Sequence, residues 1–581
     1  MKKILFACNL LLLCFLISFN SNSQTVNLKI IETSDIHGHI FPYDFVNDLS
    51  LQTSQSQVSE YVKQERAKIN QEVILLDNGD ILQGQPVVYY YNFENTKKKH
   101  ICSRVMNYMK YDAATIGNHD IEPGHQVYDK IKKELNFPWM AANAVDNKTK
   151  EPYFVPYTMI FRKGIKIAVL GMITPGIPNW LPENIWKGIV FNDMIETAQK
   201  WVKIINEKEH PDVLIGLFHS GVDYTYGNVT ADTYRNENAS KLVAQKVPGF
   251  DVIFAGHDHH KYNMKIKNPK GDEVILLDPA RHADFVSVVN ITLNYDSLNN
   301  RCKKIVEGEL VDMRNYKPDA EFIEKFAADF NEVKNYVSKP IGEFTETIST
   351  RDALFGNSSF VDLIQNIQLN LTKADISFAA PLLFDARINK GEVFVRDMFK
   401  LYKFENLLYT MELSGTEVKN YLEFSYDNWF NKMKDENDNL LRFKIDSTGN
   451  TTNRLYSSFY NFSSAAGIKY TIDASKPLGY KLNIVSMSDG SSFDLNKKYK
   501  VAINSYRGNG GGGHLVDGAK INQNELPERI ISSTQKDLRY FLMKWIEKKK
   551  IISPNKLNNW TVIPNEWWKK GKEKDFKILY K

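Results

Sequence analysis

Residues Leu28 to His37 read LKIIETSDIH, a short apolar run that stops just before an acidic residue and a histidine. Runs of this length that are rich in Ile and Leu are typical of buried strands. The same pattern returns at Val73–Leu76 before Asp80, Ala113–Ile116 before Asn118, Val213–Phe218 before His219, and Val252–Ala255 before His257. We therefore predict a sheet whose strands carry polar side chains at their carboxyl ends.

Helical stretches separate these strands, for example Val58–Ile69 and Met194–Ile205. Strands that alternate with helices form layered α/β domains, in which ligands bind at the carboxyl ends of the strands. The sequence therefore predicts an α/β domain whose functional site lies at that edge.

The residues at the strand ends are of the types that bind metal ions. A divalent cation that activates water needs several carboxylates or neutral imidazoles around one small volume. Any single block of this kind is common in solvated turns, but five in order, each behind an apolar strand, indicate a metal site. The blocks are Asp35-Ile36-His37, Asn78-Gly79-Asp80, Gly117-Asn118-His119-Asp120, Phe218-His219-Ser220 and Gly256-His257-Asp258-His259.

The chain has 581 residues, which is too long for one hydrophobic core, so we expect two folded domains. Its 43% hydrophobic content is that of a globular protein. The net charge of +5 is too small to indicate a nucleic-acid groove or an anionic membrane surface. The composition favours a small-molecule partner, and the oligomeric state is left open.

The first residues have the order of a secretory signal, with Lys2 and Lys3 before an apolar run from Ile4 to Phe19 and a small polar stretch after it. We expect cleavage before Gln24 and a periplasmic or secreted mature chain without a membrane span. An uncleaved anchor helix and a lipoprotein are the alternatives. Only two of the four cysteines follow the signal, so no disulfide framework is expected.

The pattern changes near residue 318, where apolar side chains follow one helical face between start and stop signals. Pro318 and Asp319 mark the start, and Pro340 marks the end. We predict a signal peptide at 1–23, a catalytic domain at 24–317, a linker helix at 318–340, and a C-terminal α+β domain at 341–581. The last is rich in Tyr and Phe and contains a glycine loop at 508–513.

The five blocks resemble those of the calcineurin-like metallophosphoesterases, specifically the 5′-nucleotidase and 2′,3′-cyclic nucleotide phosphodiesterase group. The resemblance covers the mature chain and implies a four-layer α/β/β/α catalytic domain, joined by the linker helix to a nucleotide-binding domain. It also implies two divalent ions, one held by Asp35, His37, Asp80 and His259, the other by Asp80, Asn118, His219 and His257. A mixed nitrogen and oxygen ligand set suits Zn²⁺, Mn²⁺, Fe²⁺ or Co²⁺ better than Ca²⁺.

In the family that this chain resembles, the histidine after the Asn ligand acts on the phosphate or on the leaving oxygen and is oriented by a carboxylate. Here that histidine is His119, and its expected partner is Glu122, with Asp120 as the rival. A purely supporting hydrogen bond is the alternative role for His119. His39, His260 and His282 match no ligand position.

The C-terminal domain is expected to select the substrate. Segments around Tyr460 and around Asn504, Tyr506 and Arg507 resemble nucleobase-binding segments of the family. Aromatic rings stack on bases because every base has a π-face, although either tyrosine could instead belong to the core. The glycine loop is either a flexible connection or a place where backbone approaches a ligand closely.

Phe378 to Leu382 reads FAAPL, where relatives that prefer 5′-nucleotides have an Asn and an Arg. The chain is therefore more similar to the branch that hydrolyses 2′,3′-cyclic nucleotides to 3′-nucleotides and then to nucleosides. A 5′-nucleotidase is the alternative. A catalytically inactive binding protein and a hydrolase of other esters or sulfur substrates are further hypotheses, which the full ligand set and the aromatic segments disfavour.

Overall fold

The computed structural model describes residues 24–296 and 301–580. The predicted signal peptide lies outside the described residues.

Two six-stranded sheets form the N-terminal part. The first sheet has, in spatial order, the strands Arg301–Asp312, Phe285–Asp296, Gln24–Thr33, Glu72–Asp77, Ala113–Thr115 and Trp139–Met140. The last four of these strands run parallel to one another. Because parallel strands end on the same edge, the residues after Thr33, Asp77 and Thr115 come together there.

The second sheet contributes the remaining candidate ligands to the same edge. Its order is Lys261–Lys267, Glu273–Pro279, Val252–Phe254, Val213–His219, Ile165–Ile173 and Tyr157–Arg162. The four inner strands are parallel, and the two outer strands pair antiparallel. All five strands predicted from apolar runs are present, within a few residues at each end.

Apolar side chains of the two sheets face each other, as Ile30 and Ile74 do with Val169 and Ile215. Helices Gln55–Arg66, Ile101–Met109 and His125–Glu134 cover the outer face of the first sheet. Helices Met194–Lys208 and Ser240–Lys246 cover that of the second. The predicted α/β/β/α order of layers is confirmed.

The segment predicted as one linker helix consists of two helices, Ala320–Lys325 and Ala327–Val337, with a break at Phe326. As predicted, Asp319 begins the first helix, since its side chain accepts from the amides of the first turn. In the second helix, the Asp329 carboxylate accepts hydrogen bonds from both terminal nitrogens of Arg104, at 2.7 and 2.8 Å. This forked contact ties the linker to the catalytic domain.

A five-stranded sheet organises the C-terminal part. Its order is Ser464–Ala466, Ile376–Ala379, Lys498–Asn504, Leu407–Ser414 and Ile530–Asp537. Smaller sheets are formed by Gly391–Phe394, Pro340–Phe344 and Ile551–Ile552, and by Leu482–Met487, Ile468–Asp473 and Trp560–Ile563. The main helices are Ser359–Thr372, Val395–Leu401, Gly415–Trp429, Leu538–Lys549 and Asn565–Leu579.

The two parts of the chain meet beside the edge that carries the candidate ligands. The Tyr89 hydroxyl donates to Asp537 at 3.2 Å, and Arg396 donates to Asp48 at 3.1 Å. The exact domain boundaries stay a prediction. Within the described ranges, no helix combines the length and the apolar character that crossing a bilayer requires.

Asp575 anchors the last helix to the C-terminal domain and carries an ionisable group into the interior. It accepts from the Leu441 amide at 2.7 Å and from the Asn439 side chain. Burial raises the pKa of this carboxyl from 3.8 to about 6, although the Leu441 amide opposes the shift. The unfolded chain therefore releases the proton first as the pH rises, so stability falls between pH values of about 4 and 6.

We predict that Asp575→Asn removes this loss, because the amide still accepts a hydrogen bond and never ionises. The pKa shift sets an upper limit of about 3 kcal/mol on the free energy of unfolding that the parent loses in this pH range. Calorimetric unfolding of the parent at pH 4 and pH 7 should show a larger decrease in stability than the variant shows. Glu573→Gln, an exposed carboxyl in the same helix, is the control. Parallel profiles for parent and Asp575→Asn would contradict the assignment.

Candidate metal centre between the two domains

The backbone is left-handed at most of the candidate ligands. The φ angles are 53° at Asp35, 47° at His37, 59° at Asp80, 80° at His257 and 60° at His259. Such angles are uncommon for residues other than glycine and cost on the order of 1–3 kcal/mol each. At this edge of the sheets, the ligand-type residues themselves therefore adopt the conformation that glycine usually supplies.

Asp35, His37 and His259 form the first cluster. His37 Nδ1 donates to the Gln83 carbonyl at 3.1 Å, which leaves the lone pair on Nε2. That Nε2 atom lies 3.0 Å from His259 Nε2, and His259 Nε2 lies 3.2 Å from Asp35 Oδ1. Three possible ligand atoms therefore meet within a few ångströms.

Asp80, Asn118, His219 and His257 form the second cluster. His219 Nδ1 donates to the Asn78 carbonyl at 2.6 Å, so Nε2 is the ring nitrogen that faces the cluster. His219 Nε2 lies 3.2 Å from Asp80 Oδ2 and 3.1 Å from Asn118 Oδ1. Asn118 Oδ1 also lies 2.8 Å from His257 Nδ1.

Asp80 lies between the clusters, because its Oδ2 atom is also 3.9 Å from His37 Nε2. Asp80 Oδ2 and Asp35 Oδ1 are buried and have no hydrogen-bond partner in the described part of the chain. Unpaired buried carboxylate oxygens are costly unless a cation compensates them. Acceptor atoms that face one another at both clusters are therefore a chemical fit for two divalent ions.

The electrostatics of the histidines agree with this fit. Burial, together with the nearby His259, lowers the pKa of His37 to about 3, so this imidazole is neutral and able to bind a metal. At His219 burial opposes ionisation, but Asp80 and Asp35 raise the pKa to about 10. The carboxylates thus favour a protonated His219 when no ion is bound, and a divalent cation would take the place of that proton and supply the same compensation.

His119 extends from the loop after Thr115. Its backbone amide donates to Asp80 Oδ1 at 2.8 Å, and its Nδ1 atom lies 2.6 Å from Glu122 Oε2. Burial opposes charge on His119, but Asp80 and Glu122 raise its pKa to about 9. Of the two expected partners, the structure places Glu122 against the imidazole.

Asp120, the other expected partner of His119, binds backbone amides instead, a role that the sequence did not predict. Its carboxylate accepts backbone amides from Asp80 and Gly117, at 2.9 and 2.8 Å, and from Ile81 and Leu82. It therefore holds the two ligand-bearing loops together. Asp120 lies in the first turn of the short helix Asn118–Ile121 and accepts from the amide of Gly117, which precedes that helix, and this contact explains why an acidic residue occupies the position.

His39, His260 and His282, which matched no ligand position in the sequence, lie outside both clusters. His39 stacks on His282 with ring centroids 4.0 Å apart. Burial lowers the pKa of His39 to about 4. His260 is exposed, and its Nδ1 faces the backbone carbonyl of Asp258.

Two loop residues beside the clusters were not found from the sequence. Trp180 stacks on His257 with centroids 5.6 Å apart, and Arg281 Nη1 lies 3.3 Å from His259 Nδ1. Arg281 follows the buried strand Glu273–Pro279, and Trp180 lies several residues after Ile165–Ile173, but neither is a carboxylate or an imidazole, so the pattern of metal-ligand residues behind apolar runs did not mark them. The Trp180 carbonyl also accepts a hydrogen bond, at 3.4 Å, from the Asn509 side chain of the C-terminal domain.

The predicted nucleobase segments meet at Arg507, which is buried. Its guanidinium donates to the carbonyls of Gly511 and Tyr460, at 2.7 and 2.6 Å, and to the Asn461 side chain. Asn504 accepts from the Arg507 amide at 2.9 Å and caps the short helix that carries Tyr506. Arg507 and Asn504 therefore shape the segments, while both tyrosine rings stay partly exposed.

The glycine loop packs against side chains of this chain itself. A Cβ atom on Gly512 would lie 1.8 Å from Arg507 Nη1, and one on Gly511 would lie 2.6 Å from the Tyr506 ring. The sequence predicted either a flexible loop or a loop whose backbone approaches a ligand. In the structure, the loop backbone lies against the side chains of Arg507 and Tyr506.

Residues 28–261 match the family profile of the calcineurin-like phosphoesterases, and residues 340–517 match that of the 5′-nucleotidase C-terminal domain. The chain therefore contains a calcineurin-like phosphoesterase domain followed by a 5′-nucleotidase C-terminal domain. The family resemblance seen in the sequence and the expectation of a metal-dependent phosphoric ester hydrolase are confirmed.

The chain is 28% identical to the 2′,3′-cyclic-nucleotide 2′-phosphodiesterase/3′-nucleotidase of Salmonella typhimurium, over 95% of this chain and 91% of that protein. It is 27% identical to the 5′-nucleotidase of Vibrio cholerae, over 69% of this chain and 75% of the relative. The fold is similar to a putative 5′-nucleotidase of Staphylococcus aureus, with a TM-score of 0.75, 20% identity, and coverage of 92% and 99% of the two chains.

We predict that His219→Ala lowers phosphoesterase activity by more than the roughly 10–100-fold that loss of a residue supporting a metal ligand costs, because a candidate ligand itself is removed. Elemental analysis should show less bound metal than in the parent. A chelator should inactivate the parent, and Mn²⁺ or Co²⁺ should restore it.

His260→Ala is the control, since this exposed neighbour of the site should keep parental activity and metal content. Activity of His219→Ala within about tenfold of the parent would remove His219 from the ligand set.

Proposed function

We propose that this chain, exported after removal of residues 1–23, is a two-metal phosphoesterase that hydrolyses 2′,3′-cyclic nucleotides to 3′-nucleotides and then to nucleosides. The observation that carries the proposal is the pair of buried, partnerless carboxylate oxygens on Asp35 and Asp80, each facing imidazole nitrogens. The nucleotide class rests on the Salmonella and Vibrio relatives, both of which are named for nucleotide hydrolysis.

The seven residues proposed as ligands divide into two sets that share Asp80. When bound, Zn²⁺, Mn²⁺, Fe²⁺ or Co²⁺ would polarise the phosphoryl group and lower the pKa of water. The first set is Asp35, His37, Asp80 and His259, and the second is Asp80, Asn118, His219 and His257.

His119 is proposed to deliver a proton to the leaving ester oxygen. Because Nδ1 faces Glu122, the other ring nitrogen, Nε2, is the one left to reach the substrate. Glu122 fixes the ring orientation, and the His119 amide holds Asp80 at the same time. Proton delivery to the ester oxygen and placement of Asp80 would therefore depend on one short turn.

The nucleobase is proposed to stack on Tyr460 and Tyr506. Arg507 joins the two segments by binding the Tyr460 carbonyl and the Gly511 carbonyl from one guanidinium. These hydrogen bonds hold the backbone that carries the two tyrosine rings. We therefore propose that Arg507 positions the rings and does not itself contact the base.

The proposed ester preference rests on residues 378–382. Phe378 is buried against Tyr421, with parallel rings 4.1 Å apart, and Ala379 and Ala380 add no polar side chain. The segment therefore offers the substrate neither the amide nor the guanidinium expected of an enzyme specific for 5′-nucleotides. The match to a 5′-nucleotidase C-terminal domain makes 5′-nucleotide hydrolysis the second candidate.

We predict that kcat/KM of the mature protein is higher for 2′,3′-cyclic AMP than for 5′-AMP, and that 3′-AMP appears before adenosine. A time course with defined Mn²⁺, resolved by chromatography, measures both. A kcat/KM at least about tenfold higher for 5′-AMP, equivalent to about 1.4 kcal/mol, would establish the second candidate instead.

We also predict that Tyr460→Ala and Tyr506→Ala each raise KM for nucleotides, because a stacked base contributes about 1–3 kcal/mol. Hydrolysis of p-nitrophenyl phosphate, which carries no nucleobase, should stay close to the parental rate. Tyr456→Ala, at an exposed tyrosine outside both segments, is the matched control. Equal losses on both substrates would mean that the ring supports the core.

A further inference from the structure

We infer that Glu237 is a positioning residue that selects the tautomer and orientation of His257, and so shapes the second metal-binding cluster. The inference rests on the proposed ligand role of His257. Glu237 belongs to none of the five sequence blocks and lies in the loop between His219 and the helix Ser240–Lys246.

The contact between the two residues is direct. Glu237 Oε1 lies 3.0 Å from His257 Nε2. A carboxylate accepts a hydrogen bond, so Nε2 carries the proton and the lone pair of the neutral ring resides on Nδ1. Nδ1 is the atom that faces Asn118 Oδ1 at 2.8 Å, inside the second cluster.

Other contacts of the ring do not make this choice. Trp180 stacks on its face at 25° between ring planes, which fixes the plane but leaves the two nitrogens interchangeable by a ring flip. The backbone amide of His257 donates to Asp35 Oδ2 at 3.1 Å, which fixes the chain and not the ring. Glu237 is thus the group that distinguishes one edge of the imidazole from the other.

Glu237 is itself anchored to the strand ends. Its backbone carbonyl accepts the hydroxyl of Ser220 at 2.7 Å and that of Thr174 at 3.0 Å. Ser220 directly follows His219, so the loop is tied to the strand that supplies another ligand of the same cluster. The Glu237 side chain is 32% exposed to solvent, and its carboxylate accepts the hydrogen bond from His257.

A hydrogen bond from a metal-bound histidine to a carboxylate typically contributes about 10–100-fold to metal affinity. The test compares Glu237→Ala, Glu237→Gln and Thr174→Val in the full mature chain. Gln keeps an oxygen that can accept from Nε2. Thr174→Val removes a hydrogen bond to the same residue's backbone but leaves the carboxylate in place.

Co²⁺ binding is titrated against a chromophoric chelator, and the visible absorption of bound Co²⁺ reports the ligand set. We expect the parent to bind two ions and Glu237→Ala to bind one of them about 10–100-fold more weakly, with a changed spectrum. Glu237→Gln should recover most of the affinity, and Thr174→Val should match the parent.

Two results would overturn the inference. One is parental affinity and spectrum in Glu237→Ala. The other is equal weakening in all three variants, because the loop anchor would then be responsible. Should Glu237→Ala fail to fold, as judged by circular dichroism, Glu237→Leu takes its place, because Leu fills similar space but has no oxygen to accept from His257 Nε2, and the same loss of affinity is expected. A parent that binds two ions but hydrolyses no nucleotide would refute the proposed function and leave this inference intact.

Discussion

The carboxylate of Asp80 is the constraint on which the rest of the centre depends. One oxygen is held by the His119 amide, and the other lies unpaired between His219 and His37. A buried charge without compensation costs several kcal/mol. The chain meets this demand by bringing side chains from five strand ends to one place, which in turn requires two sheets whose inner strands are parallel.

The geometry at those strand ends is strained, and the surrounding structure opposes relaxation. Left-handed backbone at five ligand-type residues is unfavourable locally. Asp120 offsets part of this cost, since one carboxylate accepts four backbone amides from the two loops beside it. The apolar interior between the sheets fixes the strands from which the loops begin.

The sequence predicted the parts of the molecule that have a period or a spacing. Apolar runs before Asp35 and His219 marked strands, and their ligand-type endings marked the candidate centre. The break at Phe326 was not predicted, because the apolar spacing of the linker continues through it. Trp180 and Glu237 were also missed, since loop residues become neighbours of His257 only through tertiary packing.

The separation of the clustered residues along the chain has a consequence for biosynthesis. His37 and His259 stand 222 positions apart, and their ring nitrogens meet only when both sheets are assembled. Closing so long a loop carries an entropic cost that later contacts must recover. A growing polypeptide therefore offers no complete cluster until nearly the whole sandwich has emerged, and metal loading follows folding of this part of the chain.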